Sequence, residues 1–283
     1  MNRFSRSWEL IKASARVLAA DKELLVFPIV SAIASVFVTL TFAVPLFLSG
    51  GFTLSADSNF PVIYYVVLFV FYIVQYFVIF FANTALVGAA TIRLKGGDPT
   101  VNDGFRIAFS HFGAILGYAA IAATVGMILR LFTERSRGLG QIVISLIGFA
   151  WNIATFLVVP ILAVEGIGPI QAIQRSTALL KKTWGEQIIG NFGVGAVFGL
   201  AVFALILISI PIFYLLISAK IIWGIVALAV GLILVFVLIG LVQSTLNGIY
   251  TAAVYQYAIN ERTGFFDEEM IRGAFTAKSN LRF

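Results

Sequence analysis

Residues 221–260 read IIWGIVALAVGLILVFVLIGLVQSTLNGIYTAAVYQYAIN and contain no Asp, Glu, Lys or Arg. Five further stretches, 24–56, 58–92, 107–129, 138–164 and 187–219, are equally free of those four residues. A helix needs about 20 apolar residues to cross a hydrocarbon layer roughly 30 Å thick, and each stretch meets that length. The apolar residues run continuously and do not alternate at period two, which speaks for helix. A barrel would need strands of about 10 residues with polar lumen positions, and none can be read here. In lipid every backbone N–H and C=O must be satisfied within the protein, and a helix does this by itself. The sequence therefore predicts an all-α integral membrane protein with six transmembrane helices.

Composition agrees. The chain has 283 residues, of which 60% are hydrophobic and 11% charged, with a mean hydropathy of +1.02. A soluble domain carries about 25% charged residues. Residues 1–23 are rich in charge and no small-residue cleavage site follows the first apolar run, so the first span is expected to act as its own uncleaved insertion signal. There is no Cys, hence no disulfide framework, thiolate metal site or cysteine nucleophile.

The basic residues set an orientation. Arg3, Arg6, Lys12, Arg16 and Lys22 precede span 1; Arg93, Lys95 and Arg106 follow span 2; Arg175, Lys181 and Lys182 follow span 4; Arg262, Arg272, Lys278 and Arg282 close the chain. The opposite side holds only Arg130, Arg135 and Arg137 after span 3 and Lys220 after span 5. The positive-inside rule then puts both termini in the cytoplasm. The Arg130–Arg137 segment is the discordant piece. The formal net charge of +6 becomes mostly a cytoplasmic fringe facing anionic headgroups, so membrane lipids are the expected partners and nucleic acid is not.

Between the spans the pattern turns amphipathic. Phe4, Trp8, Ile11, Ala15 and Leu18 share one helical face, with Arg6, Glu9 and Arg16 on another. Ile170, Ile173, Thr177, Leu180 and Trp184 form a similar stripe opposite Gln171, Gln174, Lys181 and Lys182. Val101, Phe105, Ala108 and Phe112 repeat it against Asp103 and Arg106, and Phe266, Met270 and Ala274 repeat it in the tail. Helices of this kind lie in the membrane interface. The expected lipid contacts are Trp8, Arg6, Arg16, Lys181, Lys182 and Trp184, serving either as a lipid-sensing collar or as plain anchors for the spans. The chain reads as one polytopic domain of three hairpin units, about 1–95, 99–165 and 169–262, with an interfacial tail at 263–283. The junctions Gly96-Gly97-Asp98-Pro99 and Gly166-Ile167-Gly168-Pro169 match in type, Gly ending one helix and Pro opening the next.

Each second span holds one Asn: Asn83, Asn152 and Asn247. At about 1.5 Å rise per residue these lie near the bilayer midplane, where an amide needs partners. With Gln75 and Gln243 they are the candidate polar cluster. Three hairpins around a pseudo-threefold axis would let the amides line a constriction; ordinary interhelical hydrogen bonding is the alternative. Gly113 with Gly117, Gly195 with Gly199 and Ser31 with Ser35 have the small-residue spacing of tight helix contacts. Pro28, Pro45, Pro160 and Pro211 are expected near helix ends. No carboxylate, Lys or Arg lies deep in any span, which argues against proton- or ion-coupled transport. The single His111 offers no metal site, and no nucleophile elbow, phosphate loop or carboxylate pair is visible. No catalytic residue, metal or cofactor is therefore expected.

Pro160-Ile161-Leu162-Ala163-Val164-Glu165-Gly166-Ile167-Gly168-Pro169, then Ala172-Ile173-Gln174-Arg175-Ser176 and Lys182-Thr183-Trp184-Gly185-Glu186, resemble a group of uncharacterised six-span prokaryotic membrane proteins, a domain of unknown function. The opening Arg3-Phe4-Ser5-Arg6-Ser7-Trp8 and Asp21-Lys22-Glu23-Leu24-Leu25-Val26-Phe27-Pro28 fit the same group. The chain is more distantly similar to the membrane region fused to some glycerophosphodiester phosphodiesterases, whose soluble catalytic barrel has no counterpart here. The resemblance implies a prokaryotic inner membrane and brings no activity with it. The expected function is a non-enzymatic, lipid-associated or scaffolding membrane module that self-associates. A passive pore through the Asn residues is the alternative, and a lipid-modifying enzyme the second alternative.

Overall fold

Helices make up almost all of the chain that the computed structural model describes, residues 3–48, 62–184 and 194–259, with side chains described for 8–48, 62–183 and 198–259. They are α1 (Arg3–Ala20), a 3-10 turn (Lys22–Leu25), α2 (Val26–Leu48), α3 (Val62–Leu94), α4 (Val101–Ser110), α5 (Phe112–Arg135), α6 (Leu139–Ala154), α7 (Val158–Glu165), α8 (Pro169–Trp184), α9 (Val194–Ser218) and α10 (Ile222–Ala258). No strand occurs among the described residues. Six stretches are long and apolar enough to cross a membrane: Lys22–Leu48, Val62–Leu94, Phe112–Arg135, Leu139–Glu165, Phe198–Ser218 and Ile222–Ala258. The chain is a multi-pass membrane protein.

Helix α3 is the hub. It packs against α2, α4, α5, α7 and α10, while α10 also packs against α1 and α9. The buried core gathers at one end of these helices. Ala85, Leu86, Ala89 and Ala90 of α3 meet Leu157, Ile161 and Leu162 around α7 and Leu246, Ile249, Ala252, Ala253 and Tyr255 of α10. Small side chains let the helices approach closely: a Cβ at Gly248 would stand 3.0 Å from Leu86 Cγ. The other end is bare. Phe47 and Trp223 are 71% and 84% exposed, and much of α6, α9 and the first half of α10 is exposed with them. An apolar surface of that extent is what hydrocarbon, not water, covers.

Span 4 is broken at Thr155–Leu157, between α6 and α7. Pro160 explains the position: it has no N–H, and its ring collides with the carbonyl of residue i−4, here Phe156. The backbone tightens there, with Phe156 N–H donating to Ile153 O at 3.1 Å. That leaves Leu157 N–H without a helical acceptor, and it donates instead to Ser176 Oγ on α8, 3.1 Å away and buried. Ser176→Ala should therefore strand a buried donor and cost about 1–3 kcal/mol. The check is a thermal melt in detergent followed by tryptophan fluorescence; an unshifted midpoint would show the bond to be dispensable.

The junctions follow their residue types. Gly96 and Gly166 take positive φ, +89° and +63°, the conformation that ends a helix at glycine. Pro169 opens α8. Before α4, Thr100 and Asp103 form a reciprocal capping box. The Thr100 backbone N–H and hydroxyl hold the Asp103 carboxyl below its ordinary value. Glu23 Oε2 adds a bond from Val101 N–H at 3.0 Å. Arg93 joins the end of α3 to α1, donating to Asp98 Oδ1 at 2.9 Å and to Ala20 O at 3.2 Å. Beside it, burial pushes the Asp21 carboxyl up, despite the Glu23 N–H bond and the nearby Arg93.

The amphipathic faces are rotated from the sequence pattern. On α1 the buried side chains are Leu10, Ile11, Ala13, Ser14 and Val17, whereas Trp8 and Ala15 are exposed. On α8 they are Ala172, Ser176, Leu179 and Leu180, with Ile170 and Thr177 exposed. These helices bury their inner faces on protein: α1 against α10 and α9, α8 against α7, α6 and α5. Small and polar residues fit such a contact, which is why a search for large apolar residues misplaces the stripe. On α4 the reading is closer: Gly104 and Ala108 are buried with Val101 and Phe105 half-buried, and Arg106 pairs with Asp103 at 2.8 Å.

Among the small residues, a Cβ at Gly117 would lie 3.0 Å from Pro169 Cγ, while Gly113 and Gly199 face open space. The tight contact expected of both glycine pairs is found at one glycine. Pro28 and Pro160 sit near helix starts and Pro45 in the last turn of α2, whereas Pro211 lies inside α9. The tail at 263–283, the surroundings of Gly195 and the side chains of Arg6 and Trp184 fall outside the described residues.

Candidate functional site: an apolar cleft with a charged mouth

At the bare end of the bundle, α2, α3 and α5 enclose a cleft of about 660 Å³. Helix α2 contributes Thr39, Phe42, Ala43 and Leu46, and α5 contributes Met127, Arg130, Leu131 and Glu134. Both sets follow the spacing i, i+3, i+4, i+7, which is one face of a helix. Helix α3 adds Tyr64, Tyr65, Val67, Leu68, Phe71 and Tyr72 over its first turns. The Phe42 and Phe71 rings meet edge-on with centres 5.4 Å apart. From Tyr72 a stacked series continues along α3 through Tyr76 to Phe80, at 6.3 and 5.7 Å, and ends on Tyr118 of α5 at 4.5 Å. Such pairs add about 0.5–1.5 kcal/mol each beyond burial, and the last of them ties α3 to α5.

The polar groups sit together. Arg130 Nε donates to Glu134 Oε1 at 2.8 Å, and Arg130 Nη1 donates to the Tyr72 hydroxyl at 2.7 Å. Arg130 and Glu134 side chains are 54% and 58% exposed, so this group forms the open mouth. The Thr39 hydroxyl is taken by Ser35 O of its own helix. The remaining lining is aliphatic, aromatic or thioether. Such a cleft can hold a hydrocarbon chain and orient a polar head at one end. Among the described residues no three His, Asp or Glu groups stand together to hold a metal.

The amides singled out in the sequence lie elsewhere. Asn83 is half-buried on α3, while Asn152 on α6 and Asn247 on α10 are exposed. Gly248 faces Leu86 and Val87 of α3, and one residue is a 100° step on a helix, so Asn247 is turned away from that contact. Gln75 on α3 has a buried, unpartnered Oε1, and Gln243 is half-buried. Of the interfacial set, Trp8, Arg16, Lys181 and Lys182 are exposed, with Lys12 Nζ 5.7 Å from the Trp8 ring centre. Glu165, at the end of α7, accepts from both Arg175 Nε and the Tyr255 hydroxyl at 3.1 Å, a tie to α8 and α10.

Residues 62–265 match a family of unknown function, DUF6159. The chain belongs to that family. The matched span begins at the first residue of α3 and covers the cleft residues of α3 and α5, but not those of α2. No curated protein and no solved structure matches the chain.

The cleft residues escaped the sequence reading. Arg130 was visible only as a charge on the wrong side of the orientation rule, and Glu134 was not singled out. Tyr64, Tyr65 and Tyr72 resemble an ordinary aromatic belt. In a chain this apolar, a stripe lining a cleft has the same composition as a stripe facing lipid.

Proposed function

We propose that the protein is a non-catalytic, lipid-associated module of the prokaryotic inner membrane. In this reading three hairpins thread the bilayer with both termini cytoplasmic, and α1, α4 and α8 lie along the cytoplasmic interface. The supporting observation is the cleft between α2, α3 and α5: an apolar channel beside exposed apolar helix faces, with its charged groups confined to one end. Its volume suits the hydrocarbon chain of a membrane lipid, and ligand pockets generally fall between about 300 and 1,000 Å³. The exposed Arg16, Lys181 and Lys182 add an electrostatic attraction of about 1 kcal/mol each to an anionic surface. A pore through Asn83, Asn152 and Asn247 draws no support from two amides on exposed faces.

Extraction of the protein with its native lipid annulus, followed by native mass spectrometry after stepwise delipidation, tests the reading. A phospholipid should remain after the annulus is stripped, and Ala43→Trp, which fills the cleft, should lower its occupancy. Complete loss from the native chain, or retention unaffected by Ala43→Trp, would remove the basis for the proposal.

A further inference from the structure

The Arg130–Arg137 segment is unexplained by topology, and the cleft gives it a use. Resting on the lipid-binding reading above, we infer that Arg130 is a headgroup site, taking the phosphodiester of an anionic glycerophospholipid whose acyl chain occupies the cleft.

Three observations carry this. The first is position: Arg130 lines the cleft and is also half-exposed at its mouth, so one residue spans the apolar and the aqueous surface. The second is geometry. A guanidinium has five N–H donors. Nε is held by Glu134 and one Nη1 donor by Tyr72; no protein acceptor among the described residues takes Nη2. Two anchored nitrogens fix the plane of the group and leave the Nη2 donors for the oxygens of a phosphate. An ion pair one helical turn apart needs no tyrosine from another helix to form, whereas a fixed headgroup clamp does. The third is charge. Glu134 neutralises Arg130, but Arg135 and Arg137 follow directly in the chain and are exposed, so the 130–137 segment is net positive and favours an anionic lipid over a zwitterionic one. Tyr72 and Glu134 act here as positioning residues.

The experiment uses the full chain reconstituted in vesicles of mixed phosphatidylcholine and phosphatidylglycerol, then extracted into polymer discs and delipidated in steps. The readout is the ratio of the two lipids that remain. The native chain should enrich phosphatidylglycerol. Arg130→Gln should reduce the enrichment about tenfold, the worth of one charge-assisted contact, without changing the total lipid retained. Arg130→Lys should keep part of it, since a point charge replaces a fork. Tyr72→Phe should give an intermediate ratio with an unchanged melting midpoint. Enrichment that survives Arg130→Gln but vanishes in the Arg135→Gln/Arg137→Gln double variant would overturn the site in favour of general surface charge. Retention of lipid with no headgroup preference in the native chain would overturn the headgroup site alone, whereas no retained lipid at all would overturn the lipid-binding reading beneath it.

Discussion

Gly104→Leu should abolish most folded protein, seen as loss of the monodisperse species in detergent and of a cooperative tryptophan-fluorescence melt. Gly104 is where α4 lies on α3. A Cβ placed there would stand 2.8 Å from Ala85 O and would strike the Phe27 ring at Cζ. The carbonyl belongs to the backbone of the hub helix and has no rotamer to escape into. Phe27 is 1% exposed and is held edge-on by Phe105 at 5.2 Å. Overpacking a dense site typically costs about 1–3 kcal/mol and sometimes more. With both neighbours fixed, the branched side chain should reach about 3 kcal/mol or beyond, and Gly104→Ala should shift the midpoint in the same direction by less. A normal melt in the leucine variant would mean that α4 does not rest on α3.

The second large effect is a size swap between α3 and α10. Leu86 is fully buried and occupies the space that the missing side chain of Gly248 leaves. Leu86→Ala should cost about 2–5 kcal/mol through lost burial and a residual cavity. Gly248→Leu should be comparably damaging for the opposite reason. Combined, the added side chain meets the vacated space, so the double variant should be more stable than the sum of the two losses by about 0.5–3 kcal/mol. Simple additivity would place Gly248 and Leu86 out of contact. Leu86 side-chain atoms have rotamers and the Ala85 carbonyl has none, so compensation is expected at this contact and not at Gly104.

The spans and junctions were legible because each rests on a local property. Taking a charged side chain into hydrocarbon is costly wherever it occurs, so a charge-free run marks a span without knowledge of its neighbours. Gly96 and Gly166 at positive φ and Pro160 at a helix break follow from the backbone chemistry of those residues alone. Helices α1 and α8 were legible in existence but not in phase. The buried face of α1 centres on Leu10, Ala13, Ser14 and Val17, where alanine and serine admit a neighbouring helix, and a hydropathy pattern does not rank them as core. Among the candidate site residues, Asn83, Asn152 and Asn247 were conspicuous because amides are rare in an apolar run, yet rarity does not say which way a side chain points. Arg130, Glu134 and Tyr72 come from two separate spans and become a group only when α3 and α5 pack.

The sequence by itself determined that this chain crosses a membrane as helices, roughly where each crossing begins and ends, and which DUF6159 segments join them, because desolvation of charge and the φ limits of Gly and Pro act residue by residue. Tertiary structure alone decided that α3 is the hub, that the core gathers at one end, and that Arg130 stands at the mouth of an apolar cleft. In a chain that is 60% hydrophobic, lipid-facing and cleft-lining stripes draw on the same large apolar residues, and hydropathy does not separate either from the core. Close approach at Gly104, Gly117 and Gly248 comes from the packing of separate helices, which no single stretch of sequence displays.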